Sequence, residues 1–460
     1  MRAKNPRVIF AGTGSGCGKT TVTCAILRAL ARRGRRVSAC KCGPDYIDPM
    51  FLSRAAASPC ANLDLWFFSE NTLNWLLTKN AVGKSISVME GVMGYYDGIG
   101  VSGAASTYAV AKATQSPVIL IVNAKGAALS LLALLHGFSA FREDSGIRGV
   151  VFNRCSGALY PTLAEAVVRE WGGQIRPLGY LPPLAEHNLK SRHLGLVLPE
   201  EIPDLEETLC ALAEEAEKSV DLNGIESLAQ TAPETVCTPV EFPVFPEAVR
   251  IAVARDRAFC FYYADSLDLL QEMGAVLLPF SPLTDVAPPE GIDGLYLGGG
   301  YPELYARELS ENAAMRHTVR NALARGMPCV AECGGFMYLT EAIAGYTMAG
   351  VLPGRCFDTG GLSRFGYVRL TAKRDNLLCR AGESIPAHEF HTWDCAAPGD
   401  SFQAERPSGR RWDCAAATDR LYAGFPHFHF YANPQFAVNF YRACLEEKHC
   451  HAGVLESHGD

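Results

Sequence analysis

Residues 12–20 read Gly-Thr-Gly-Ser-Gly-Cys-Gly-Lys-Thr, and their setting constrains the fold more than any other stretch of the chain. Before them lies a short apolar run, Arg7-Val8-Ile9-Phe10-Ala11. After them, within residues 19–33, Val22, Ile26, Leu27 and Leu30 recur at helical spacing. A strand that enters a helix through a glycine-rich turn aims several backbone N–H groups at one point and can cradle a polyphosphate. The glycines Gly12, Gly14, Gly16 and Gly18 permit the turn. Lys19 adds a cation toward the outer phosphates, and the Thr20 hydroxyl can reach a magnesium ion. The strict form of the motif has glycine at position 13, where this chain has Thr13, so the loop is one residue longer and starts at Gly12.

The same alternation continues downstream. Apolar strands are expected at 36–40, 85–89, 117–122 and 147–152, separated by helix-length segments. That pattern predicts a parallel, doubly wound α/β sheet. In such sheets ligands bind beyond the carboxyl ends of the strands, and polar residues collect there: Lys41, Asp45, Asp48, Glu90, Asp97, Asn123 and Asn153. Carboxylates on that rim suit magnesium during phosphoryl transfer.

At 460 residues the chain is long enough for two or three domains. The boundaries expected are 1–220 for the nucleotide domain, 221–247 for a linker marked by Asn223-Gly224 and prolines 233, 239, 243 and 246, and 248–460 for a second α/β domain. The second domain has strand-like runs at 250–254, 275–278, 294–297 and 329–331. A net charge of −7 argues against a general nucleic-acid binder. The basic run Arg32, Arg33, Arg35, Arg36 reads as the solvated end of the first helix. The N-terminal residues show no secretory signal pattern, and no apolar stretch is long enough to span a bilayer. Seventeen cysteines without a C-x-x-C pair fit a reducing cytoplasm.

A second reactive centre is expected in the C-terminal half. In Pro328-Cys329-Val330-Ala331-Glu332-Cys333-Gly334-Gly335, Cys333 falls where a strand passes into a helix, which favours a thiolate and brings backbone N–H groups close. Gly334, and Gly299 in the run 297–303, are the expected oxyanion donors. His427 or His429 is the expected base, with His427 preferred. Pro426, just before it, removes a backbone donor. His388 and His391, taken with these two, also allow a zinc reading, and the tail His449-Cys450-His451 reads as a frayed terminus.

The order and content of these motifs resemble the cobyrinate a,c-diamide synthase family along nearly the whole chain. The landmarks are GTGSGCGKTTVT (12–23), KCGPDYIDP (41–49), NLDLW (62–66), EGVMGYYDG (90–98), RHLGLV (192–197), AVARDRAFCFYY (252–263), FSPLTD (280–285), LGGGYPE (297–303), AECGGFMYL (331–339) and HEFH (388–391). The resemblance implies a dethiobiotin synthetase-like ATP domain followed by a class I glutamine amidotransferase-like domain. It implies that Cys333, with His427, releases ammonia from glutamine, and that ATP activates the a and c acetate carboxylates of a cobyrinate-type tetrapyrrole for amidation. Carried over by motif, Gly12, Thr13, Gly14, Gly16, Cys17, Gly18, Lys19, Thr20, Thr21, Lys41 and Asn153 would bind ATP. Thr20, Asp45 and Glu90 would hold Mg2+, and Tyr46, Asp48 and Asp97 would lie near substrate.

Two departures stand out. The family's usual Ser-Tyr-x-His-x-His is Gly424-Phe425-Pro426-His427-Phe428-His429 here, and the glutamate that class I amidotransferases place two residues after the histidine is His429. Hydrogenobyrinate and nickel-sirohydrochlorin are the rival substrates. A partitioning-type ATPase is the rival class, but the second lysine such proteins carry five residues before the invariant one is Gly14 here. A regulator that has lost glutaminase would not need Cys333. No residue specifies an oligomeric state; a homodimer is compatible with the sequence.

Overall fold

Residues buried along their whole length build the strands at the centre of the N-terminal half, as expected where both faces of a parallel sheet are covered. The computed structural model describes residues 1–184, 191–192 and 195–456. The segment noted at 192–197 falls partly outside these, and the side chain of His451 wholly so. The chain divides into two compact units, Met1–Val240 and Glu241–Asp460.

In the first unit the strands are β1 (Arg7–Gly12), β2 (Val37–Cys42), β3 (Cys60–Leu63), β4 (Ile86–Glu90), β5 (Val118–Asn123), β6 (Ile147–Asn153) and β7 (Arg176–Leu181). They pair in the order β3-β2-β4-β1-β5-β6-β7, all parallel. The order reverses on either side of β1, so its carboxyl end opens at the switch point where ligands bind in this architecture. Helix α1 (Lys19–Arg32) leaves from there with Val22, Ile26, Leu27 and Leu30 buried, and α2 (Ile47–Ala56) follows β2. The basic end of α1 meets the acids of α3 (Leu205–Ser219) and α4 (Leu222–Ala229): Arg32 reaches Glu214 and Glu217, and Arg35 reaches Glu226. These are solvated ion pairs, not a phosphate patch.

Helix α4 occupies part of the stretch expected as linker. The Asp221 side chain accepts from the Gly224 N–H at 2.8 Å and caps it, and Leu222, Ile225, Leu228 and Ala229 are buried. Beyond it, Thr235–Val236 pairs antiparallel with Arg2–Ala3, and the guanidinium of buried Arg7 donates to the Pro233 carbonyl at 2.9 Å. Proline-rich backbone here is therefore tied to the first unit rather than spanning a gap.

The second unit holds a further sheet: β8 (Arg250–Ala254), β9 (Val276–Phe280), β10 (Gly294–Leu297) and β11 (Cys329–Glu332). They pair in the order β9-β8-β10-β11, and the sheet continues through a late parallel strand described below. The second unit also holds a separate antiparallel sheet that the sequence pattern did not suggest. It comprises β12 (Arg364–Ala372), β13 (Ser384–His391), β14 (Phe402–Glu405), β15 (Arg411–Cys414) and a short β18 (His427–Phe428), in the order β15-β14-β12-β13-β18. Between them in sequence, β16 (Ala416–Ala417) and β17 (Leu421–Gly424) return to the first sheet of this unit, with β17 parallel to β11. The chain thus crosses from one sheet to the other between Gly424 and His427. Pro426 sits in that crossing, where no ladder bond is lost. Among the described residues no helix is long and apolar enough to cross a membrane.

Candidate active sites

The glycine-rich loop closes over itself much as its composition suggests. Gly18, at φ 91°, occupies the left-handed region, and a Cβ there would meet the Asn153 amide at 2.0 Å. Helix α1 has no side-chain cap and no acid in its first turn, so its leading N–H groups are left for an anion. Lys19 folds back, donating to the Met93 carbonyl at 2.6 Å and the Gly14 carbonyl at 3.2 Å. Thr13, Gly14 and Thr21 are half-buried, Gly16 is exposed, and Cys17 is buried. Asn153, expected to bind ATP, braces this loop: its amide donates to the Cys17 carbonyl at 2.9 Å, and its oxygen accepts from the Arg154 N–H.

Below the loop lies a cluster of buried charge. Lys41, at the end of β2, reaches Asp48 at 2.6 Å and Glu90 at 2.7 Å, and the Thr20 hydroxyl donates to the same Glu90 oxygen at 2.9 Å. Strand register explains the meeting, since Lys41 pairs with Glu90 across β2 and β4. The other Glu90 oxygen is buried without a hydrogen-bond partner, and burial pushes that carboxyl up. Asp45 turns toward the start of α2, where its oxygen accepts from the Ile47 and Asp48 N–H groups at 2.8 and 3.1 Å. Burial, reinforced by the negative Asp48, raises the Asp45 carboxyl to about 7. Three carboxylates thus face two lysines, one of them already turned onto backbone carbonyls. A divalent cation would relieve that excess and draw Asp45 into its ionised form, so these residues fit magnesium. Asp97 accepts from the Gly94 N–H at 3.0 Å, and Gly94 lies against Gly14, so the 94–97 turn borders the loop. Tyr46 stands half-buried just ahead of α2, between Asp45 and Asp48.

In the second unit Cys333 has φ 47° and ψ −99°, a conformation that costs a non-glycine residue of the order of 1–3 kcal/mol and persists where surrounding structure enforces it. It links β11 to a short helix, α5 (Gly334–Leu339). Such strained strand-to-helix elbows present a nucleophile at the end of a parallel strand. The Cys333 N–H donates to the Gly424 carbonyl at 2.7 Å, so the elbow is tied to β17 three residues ahead of His427. A Cβ on Gly334 would lie 3.1 Å from the Gly300 nitrogen, and one on Gly299 would strike the His427 ring at 2.5 Å. The two glycines expected at the oxyanion therefore lie along the same seam as the cysteine and the histidine. Burial, with Glu303 adding to it, pushes the Cys333 thiol up, and the Gly334 N–H opposes that rise.

The four histidines diverge. His427 Nδ1 lies 3.1 Å from Glu332 Oε2, both groups being 2% exposed. His429 packs against Tyr263 with its ring tilted by 30° and accepts at Nδ1 from the Tyr431 N–H. His391 stacks on Phe425 with ring centroids 4.1 Å apart. His388 packs among Phe365, Tyr367 and Phe390, and burial brings it down to about 3, where it is neutral. Among the described residues these histidines do not converge with one another or with Cys, Asp or Glu as a set of metal ligands, so nothing supports the zinc reading. Sequence reasoning missed Glu332. Its only linear signal was its place immediately before the cysteine.

A phosphate loop over buried carboxylates in one unit, and a strained cysteine with a histidine in the other, define a nucleotide-binding domain joined to a glutamine amidotransferase domain. Family models agree: residues 8–194 match the CobQ/CobB/MinD/ParA nucleotide binding domain, and residues 250–435 match the CobB/CobQ-like glutamine amidotransferase domain. The cobyrinate a,c-diamide synthase of Dehalococcoides mccartyi (strain CBDB1) is 37% identical over 95% of this chain and 98% of its own length. That of Thermoplasma volcanium is 37% identical over 96% and 98%. That of Caldanaerobacter subterraneus subsp. tengcongensis is 41% identical over 83% and 85%. The chain belongs to the cobyrinate a,c-diamide synthase family, whose members are glutamine-hydrolysing ligases.

Proposed function

We propose that the chain amidates the a and c acetate carboxylates of cobyrinate, using ATP in the first unit and ammonia released from glutamine in the second. A carboxylate resists amines because hydroxide is a poor leaving group. Transfer of the γ-phosphoryl group makes an acyl phosphate, and ammonia then displaces phosphate to leave the amide. The loop from Gly12 to Thr21 binds the phosphates, with Gly12, Thr13, Gly14, Gly16, Cys17 and Gly18 giving backbone and Lys19 giving charge. Asn153 holds the loop and borders the nucleotide. Thr20, Glu90 and Asp45 would hold Mg2+, which supplies charge neutralisation at the phosphates. Lys41 holds Asp48 ionised and offsets part of the cost of burying Glu90. Tyr46, Asp48 and Asp97 face the acetate being activated.

In the second unit the Cys333 sulfur attacks the side-chain carbonyl of glutamine while His427 takes the thiol proton. His427 returns the proton to the departing nitrogen, so ammonia leaves and a thioester remains for water to hydrolyse. Gly299 and Gly334 supply N–H groups to the oxyanion. The protein works in the cytoplasm, on small molecules. The observation that carries the reading is the presence, in one chain, of the strained cysteine elbow and the buried Lys41–Glu90 pair beneath a phosphate loop. The names of the relatives do not favour the rival tetrapyrroles.

The test is mass spectrometry of cobyrinate incubated with the protein, ATP, magnesium and glutamine. Two successive acid-to-amide conversions are expected; cobyrinate recovered unchanged would overturn the substrate assignment.

A further inference from the structure

His427 needs more than proximity to act as a base. A neutral imidazole has one donor and one acceptor nitrogen, and only the tautomer with its proton on Nδ1 makes Nε2 the acceptor that can take a proton. Glu332 meets Nδ1 at 3.1 Å. Its other oxygen accepts from the Tyr296 hydroxyl at 3.0 Å. Both oxygens of a carboxylate that is 2% exposed are therefore engaged, and the side chain is held from two sides. The opposite edge of the ring faces the glycine seam: a Cβ on Gly299 would lie 3.3 Å from Nε2. Glu332 is also the last residue of β11, pairs in register with Gly424, and is bonded to Cys333. One strand end thus sets the nucleophile's elbow and the carboxylate that meets its base.

We infer that Glu332 is the positioning residue for His427: it fixes the productive tautomer and steadies the imidazolium formed when the Cys333 proton arrives. The inference rests on the glutaminase reading of the second unit. The chemistry is a proton transfer and its return. The Cys333 S–H bond breaks as the proton passes to Nε2, the sulfur bonds to the glutamine carbonyl carbon, and the proton then passes to the leaving nitrogen as its carbon–nitrogen bond breaks. Nδ1–H stays bonded to Glu332 throughout.

Other titratable groups face the pair from neighbouring elements: His388 and His391 from β13, Glu389 between them, Glu303 beyond β10, and Tyr262 and Tyr296. His388 is neutral, and burial pushes both tyrosines up, so these three carry no charge near neutrality. Glu389 is committed to the side of His391 and Arg364, each at 3.9 Å. Glu332 is the carboxylate at Nδ1.

The test uses the full chain with Glu332→Gln. Glutamine hydrolysis should lose about 10²-fold or more in kcat, with KM for glutamine within about threefold. The informative reading is the pH at which Cys333 becomes reactive to iodoacetamide, followed by mass spectrometry of its peptide. Without Glu332 the imidazolium is less stable, so the thiolate forms at higher pH; the midpoint should rise by about 1 unit or more. Glu332→Asp should recover part of both effects. A kcat loss with an unmoved midpoint, or hydrolysis within about threefold of the parent, overturns the inference. Ammonia-driven amidation in the other unit reports folding. Should Glu332→Gln lose that as well, Glu332→Ala is measured in the same two ways, and the same outcomes support or overturn the inference. Cys333→Ser is run beside them. If it keeps glutaminase, the reading of the whole unit fails; if it is dead while Glu332→Gln is unimpaired, only the role of Glu332 fails.

Discussion

Lys41 and Glu90 show what the linear sequence can and cannot carry at the scale of single residues. Each was legible as a polar residue at the end of an apolar strand, because a parallel sheet gathers such residues on one rim. That Lys41 binds two carboxylates at once, and that Thr20 shares one oxygen of Glu90 with it, depends on strand order. Glu332 was hidden for the same reason, since its partner His427 lies on another sheet. Asp45 offers a test of the electrostatics. Its carboxyl is raised from 3.8 to about 7 in the folded chain, so its contribution to stability is complete only below about 4 and is lost as pH rises through about 7. Asp45→Asn keeps an oxygen for the Ile47 and Asp48 N–H groups while removing the charge. In the absence of ligands it should raise Tm at pH 8 by about 2–4 °C, of the order of 1 kcal/mol. The gain should shrink as pH is lowered toward 5. A scanning-calorimetry gain independent of pH, or a loss at pH 8, would show that Asp45 is not the strained acid described.

At the scale of elements, five of the seven strands of the first sheet lie where unbroken apolar runs put them, within a residue or two at their ends, while β3 and β7 were not expected. Continuous burial leaves little freedom in register or length. Helix α4 was missed because Asn223-Gly224 and the prolines that follow suggest a turn, and they outweighed an amphipathic pattern of four apolar residues behind an Asp cap. Asp221→Ala removes that cap and should cost about 1 kcal/mol. Calorimetry should show the Tm of the first unit falling by a few degrees, with the kinetics of amidation unchanged. An unaltered Tm would mean the helix contributes nothing to the unit's stability. The antiparallel sheet of the second unit was not legible either. Its strands are only half-buried, several are two to four residues long, and β18, which carries His427, pairs with β13 only after β14 to β17 have intervened in sequence. The same sheet delivers His427, so the part of the site least visible in the sequence is the part that depends on long-range pairing.

The whole molecule joins two chemistries that share nothing except ammonia. One unit arranges buried charge for a phosphoryl group; the other stores backbone strain at a cysteine and sets a histidine beside it. Each can be disabled without touching residues of the other, and this separability is the central claim. The direct test supplies glutamine labelled with 15N in its side-chain amide, with cobyrinate, ATP and magnesium, to the parent chain, Cys333→Ala and Glu90→Gln. Glutamate, labelled ammonia and labelled product are then quantified together. The account predicts labelled diamide from the parent. Cys333→Ala should give neither glutamate nor product until free ammonia is added, after which product should form. Glu90→Gln should give glutamate and labelled ammonia but no product from either nitrogen source. Product from Cys333→Ala with glutamine alone, or equal loss of glutaminase and amidation in Glu90→Gln, would contradict the division of labour.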